Sequence, residues 1–124
     1  MSTLWPRIEP LLARVQKPAR YIGCEDGAIT PRHDQLTDGD AVAWLLAYPD
    51  TYEIGMSHLG IRVLYDILNR RPDIAAERCF APWIDMEAIM REREIPLFSL
   101  ESKHAVSEFD MLAMTLPYEQ LFTN

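Results

Sequence analysis

A chain of 124 residues, 48% of them apolar, is long enough for one domain with a real core and too short for two ordinary ones. Nineteen acidic against 12 basic side chains leave a formal charge of -7, which argues against broad electrostatic binding to nucleic acid. Cys24 and Cys79 stand far apart and no apolar run approaches the ~20 residues of a membrane span, so we expect reduced thiols and a cytoplasmic protein that does not cross a membrane.

In chain order, Leu4, Ile8, Leu11, Leu12 and Val15 are spaced for a short amphipathic helix starting near Pro10, or nearer Pro6 if Pro10 kinks it. ARYIGCEDGAIT, residues 19–30, sets Asp26-Gly27 between strand formers and predicts a small hairpin or a sharp loop. PRHDQLTDGD, residues 31–40, is polar and rich in turn formers, so residues 1–40 read as an arm linked to a main domain over 41–124. AVAWLLAY, residues 41–48, is a continuous apolar run of the kind that forms a central strand covered on both faces. After a loop from Pro49 to Met56, HLGIRVLYDILNRR predicts a helix lying on a sheet. Leu59, Val63, Leu64, Ile67 and Leu68 form its apolar arc, with Arg62, Asp66, Asn69 and Arg70 opposite. Asp66 is four residues from both Arg62 and Arg70, a spacing worth ~0.3 kcal/mol per pair.

AERCFAP, residues 76–82, predicts a second strand. Pro82 and Trp83 open a second helix with Met86, Ile89 and Met90 at core spacing and Glu87 and Arg91 as an exposed pair. IPLFSLES, residues 95–102, and FDMLAMTL, residues 109–116, read as third and fourth strands, and PYEQLFTN as a loop entering another helix. This order predicts an α/β fold with a mainly parallel, doubly wound sheet. Two helices cannot cover such a sheet, and bare apolar surface costs ~25 cal/mol per Å2. The sheet is therefore expected to be incomplete at its C-terminal side, the chain to be part of a longer protein, and the exposed edge to be capable of self-association.

Ligands of open parallel sheets bind beyond the carboxyl ends of the strands, here Pro49 to Gly60, Ala81 to Trp83 and Thr115 to Tyr118. Gly55 permits backbone geometry closed to other residues, Ser57 suits a helix N-cap, and Gly60 would let helix and strand approach closely. Such a loop can hold an anionic or polar group through its amides, although the two glycines form neither a dinucleotide fingerprint nor a phosphate loop. His58 reads as a helix-start residue rather than a metal ligand. The usual cobalamin-ligating pattern has Asp two residues before the His and Gly three after, and Met56 and Ile61 stand there. Asp50 and Glu53 read first as solvated helix-dipole partners, with a role as acid and base or as ribose ligands the alternative, His33 and His104 as surface histidines, and Cys79, Trp83, Met86 and Met90 as core. No catalytic residue and no metal ligand is assigned. The candidate cofactor-binding residues are Tyr52, Glu53, Gly55, Ser57, His58, Gly60, Thr115, Pro117 and Tyr118.

VQKPARYIGCE, the stretch from Tyr48 to Ser102 and FDMLAMTLPYEQLFTN resemble the amino-terminal part of bacterial radical S-adenosylmethionine proteins annotated with a cobalamin-binding-like domain. The resemblance implies a Rossmann-like or flavodoxin-like domain preceding a radical barrel, with cobalamin as a candidate cofactor. The barrel's 4Fe-4S cluster, held by a Cys-x3-Cys-x2-Cys loop, and S-adenosylmethionine would belong to the full-length parent, since neither cysteine here has a second within seven residues. It further implies a cofactor-binding-like module that is not catalytic on its own and packs on the parent's barrel, or a docking domain without ligand.

Overall fold

The computed structural model describes residues 3–29, 42–119 and 121, so the expected linker at 31–40 and His33 lie outside the described residues. Strand β1, Val42–Tyr48, pairs in parallel with β2, Ile74–Phe80, Val42 standing opposite Ile74 and Tyr48 opposite Phe80. On its other side β1 pairs in parallel with β3, Met111–Met114, Trp44 opposite Met111 and Ala47 opposite Met114. The order is thus β2-β1-β3, an open parallel α/β sheet. β1 is central, which is why its sequence is continuously apolar. Successive side chains point to opposite faces. Leu46 and Tyr48 pack with Ile61, Tyr65, Ile74 and Ala76, while Leu45, Ala47 and Cys79 meet Val106 and Phe109 on the other face.

The arm begins with α1, Trp5–Ile8, which has Pro6 in its first turn, and continues as a 3-10 turn over Glu9–Arg14. Pro10 lacks the N–H that would bond back to Pro6, and the chain tightens where the α-helical ladder is interrupted. No strand forms among described residues 19–29. The Asp26-Gly27 segment is a loop with Gly27 at φ +90, so of the two expectations the sharp loop holds. After β1 come α2, Tyr52–Met56, and α3, Leu59–Asn69; after β2 comes α4, Ile84–Glu92. Met86, Ile89 and Met90 of α4 pack with Ile8, Leu11 and Tyr21 of the arm, forming a core of their own. Trp83, expected in the core, is exposed and lies under the Arg20 guanidinium at 5.2 Å.

Two expectations fail in instructive ways. The arc of α3 expected on the sheet is largely exposed: Leu59 to 71% and Val63, Leu64 and Ile67 to between 44% and 51%. Ile61 and Tyr65 are buried instead. Apolar residues run around roughly two-thirds of this helix at 100° per residue, so periodicity offers two faces, and a polar group chooses between them. Asn69 donates to the Ala76 carbonyl and accepts from the Ala76 amide, both at 3.0 Å, and so fixes the rotation of α3 against β2.

The second failure is residues 95–102. They form no strand; one isolated bridge joins Phe98 to Ala105, and Lys103 at φ +58 turns the chain back. This loop runs along the outer edge of β2. The Leu100 amide donates to the Arg78 carbonyl at 2.7 Å and Glu101 accepts from the Arg78 amide at 2.8 Å. With Asn69 serving Ala76, side chains and a loop fill the place of a neighbouring strand.

Candidate functional site

The carboxyl ends of the three strands converge, as an open parallel sheet requires. Ala81 donates to the Asp50 carbonyl at 2.8 Å, Thr115 to the Ala47 carbonyl at 3.0 Å, and the Tyr118 hydroxyl to Asp50 Oδ2 at 3.1 Å. Asp50 thus ties the three loops together, its other carboxylate oxygen accepting from the Thr51 amide at 2.7 Å.

Most of the expected binding residues in this cluster are engaged with the chain itself. His58 is the N-cap of α3: its Nδ1 accepts from the Ile61 amide at 3.2 Å, and its ring lies 5.2 Å from that of Tyr48. Ser57, expected as that cap, instead donates to the Glu53 carbonyl at 2.8 Å and closes α2. A Cβ on Gly60 would stand 2.8 Å from His58 Cε1, so this exposed glycine clears space for the capping imidazole rather than for a strand. Gly55 clears space in the same way for the Phe80 ring, against which Tyr52 packs edge-on at 5.7 Å. Glu53 pairs with Arg20 at 2.7 Å and Lys17 at 4.0 Å; burial pushes its carboxyl up, Arg20 outweighs burial, and the pKa falls below the ordinary value. Pro117 and Tyr118 are exposed, and Tyr118 and Asp50 stand side by side. The chain's own rings thus fill both glycine hollows. Among the described residues, no group of three or more His, Cys, Asp or Glu is placed to hold a metal ion.

A second polar centre lies on β2, where adjacent charged residues are both buried. Arg78 points to the α3 face, its guanidinium 4.3 Å from the Tyr65 ring. Its Nε donates to Glu101 at 2.6 Å, Nη2 to Glu25, and Nη1 to the Met56 sulfur at 3.2 Å. Burial lowers the Arg78 pKa, but Glu101 outweighs it and the guanidinium stays charged. Burial raises the Glu101 pKa against the pull of Arg78. Glu77 points to the other face, where Oε1 accepts from the Ser102 amide at 2.9 Å and hydroxyl at 2.6 Å. Ser102 Oγ also lies 2.6 Å from His104 Nδ1, and since its one hydrogen goes to Glu77, Nδ1 must carry the proton of that bond. His104, expected on the surface, is buried. Lys103 is buried too; its ammonium donates to the carbonyls of Ile22 and Leu100, and burial lowers its pKa against Glu101 and Glu77. The sequence signal for this centre is the pair Glu77-Arg78 inside an otherwise apolar strand, since charges are buried there only when partnered.

Residues 60–124, just over half of the chain, match the family described as radical SAM proteins, N-terminal. The match covers α3 through β3 and includes Gly60, Thr115, Pro117 and Tyr118, but leaves out Tyr52, Glu53, Gly55, Ser57 and His58. No curated protein and no solved structure matches the chain. Among the described residues, no helix is long and apolar enough to cross a membrane.

Proposed function

The chain belongs to the family of N-terminal regions of radical SAM proteins, and from that premise we propose that it is a noncatalytic docking module on which the radical-forming part of such a protein packs. The observation that carries this reading is β3. Met111, Leu112 and Met114 are 44% to 54% exposed on both faces of the strand, Leu116 continues the patch, and β3 has no outer neighbour in the described sheet. An unprotected strand edge with apolar side chains on both faces is an interaction surface, because soluble proteins otherwise blunt or cover such edges. The opposite edge, along β2, is sealed, so this end of the module is where the remainder of the parent would dock. On this reading the iron-sulfur cluster and S-adenosylmethionine are held by the parent's barrel.

The test is to express the remainder of a radical SAM parent with this chain in trans and measure co-elution on gel filtration. Wild type is expected to co-elute and Leu112→Lys to elute alone. Equal retention of both would remove β3 from the interface. Incubation with hydroxocobalamin addresses the rival: corrin retained near one per chain would make this a cofactor-binding domain and overturn the ligand-free reading.

A further inference from the structure

We propose that two copies of this chain associate through α3, the helices lying antiparallel about a two-fold axis. Leu59, Val63 and Ile67 recur every four residues and form one exposed stripe that the sheet does not use. At 100° per residue, Arg62 and Asp66 run together along one flank of that stripe. A two-fold axis that reverses the helix direction brings like flanks face to face. Arg62 of each copy then meets Asp66 of the other, giving two ion pairs from one operation. A parallel two-fold arrangement would put the Arg62 and Asp66 flanks of the two copies on opposite sides, leaving both charges unpaired across the interface, and is disfavoured.

The two features agree on the position of the axis. The apolar stripe is centred on Val63 and the charge pair midway between Arg62 and Asp66, one residue apart, which is about 1.5 Å along a helix. Arg62 forms no ion pair among the described residues, whereas Asp66 is held at 2.6 Å by Arg70 one turn on. Among the described residues, Arg62 is thus the α3 cation that no carboxylate already holds. A groove of about 400 Å3 opens along the same flank, between α3 and the Asp26-Gly27 loop, with Leu59, Arg62, Val63 and Asp66 in its wall. It leaves room for the partner's side chains. This surface is separate from β3, so the proposal does not rest on the docking reading.

Light scattering coupled to gel filtration tests it. Wild type is expected at twice the chain mass of 14.3 kDa. Arg62→Asp and Asp66→Arg should each halve that mass, because each sets like charges across the axis. Mixed in equal amounts, the two variants should return to the dimer mass, since every pair is then restored between unlike copies. In a Cys24→Ser background, Val63→Cys beside the axis is expected to oxidise to a covalent dimer. A wild type of single-chain mass, or single variants that stay dimeric, overturns the proposal. So does a mixture that stays monomeric without a Val63→Cys cross-link. Loss of the dimer in Leu112→Lys with retention in Arg62→Asp would move the association to β3 and overturn it as well.

Discussion

His58 shows how a residue that looks chemical in a sequence can be spent on local structure. Its imidazole nitrogen replaces the hydroxyl or carboxylate oxygen that usually caps a helix, and Gly60 leaves room for the ring. Replacing a capping side chain with alanine costs about 1 kcal/mol. His58→Ala should lower the unfolding free energy measured in urea by that much, and His58→Asn, which can cap, should recover most of it. Gly55→Ala separates two opposed effects. Helix propensity alone favours alanine by about 1 kcal/mol, but the Phe80 ring occupies the space, and forcing a methyl against it costs about 1–3 kcal/mol. The expected result is net destabilisation, with Gly55→Ala in a Phe80→Leu background tolerated better.

The thiols offer a third residue-scale prediction. Cys24 is exposed and Cys79 buried, so a thiol reagent at neutral pH should titrate one of the two in the native chain and both in denaturant. Burial, reinforced by Glu101, pushes the Cys79 thiol up from 9.0 to about 12. A pKa raised on folding means a contribution to stability that is whole below pH 9.0 and lost as pH rises through about 12. Alkaline loss of stability in that window should be shallower in Cys79→Ala. The sequence made Cys79 legible as core because it sits in an apolar run. His104 was misread because the polar residues around it are bonded to one another inside: Ser102 donates to Glu77, and Ser99 bonds to Ser102 and to the His104 amide.

Elements were most legible where one physical demand acted alone. β1 had only to be apolar on both faces, and its position in the chain followed from that. α3 was found as a helix, but its orientation was hidden because Leu59 and Val63 compete in the pattern with Ile61 and Tyr65, and the decision falls to the polar Asn69. Asn69→Leu should therefore cost more than its exposure suggests, by freeing the backbone of Ala76. Residues 95–102 were misread as a strand because their apolar residues cover an edge instead of joining it. The covering depends on the buried pair of Arg78 and Glu101, whose side chains are 3% and 2% exposed. Removing one partner of such a pair costs about 3–5 kcal/mol. Arg78→Ala and Glu101→Ala should each lose that much in urea unfolding, and the double substitution much less than the sum. Additive losses would show that the pair is not coupled.

At the scale of the molecule, an open parallel sheet could be anticipated from the alternation of apolar strands and helices. The unequal treatment of its edges could not be, since it depends on Glu25, Glu101 and Lys103 reaching across long sequence separations. Of the candidate site, the convergence of the three strand ends was legible. The use of its glycines was not, because a glycine that accommodates a neighbouring ring and one that accommodates a ligand look alike in sequence. The arm adds a consequence in time. Lys103 holds the carbonyl of Ile22 from 81 residues away, and Thr3 reaches Ser102 across 99. During synthesis at about 5–20 residues per second, the arm leaves the ribosome roughly 4–16 s before the lysine that fastens it. Ile8 and Leu11 wait about as long for α4, which covers them, so nascent chains arrested before α4 are expected to expose the arm to protease and to chaperones, and chains released after Lys103 to protect it.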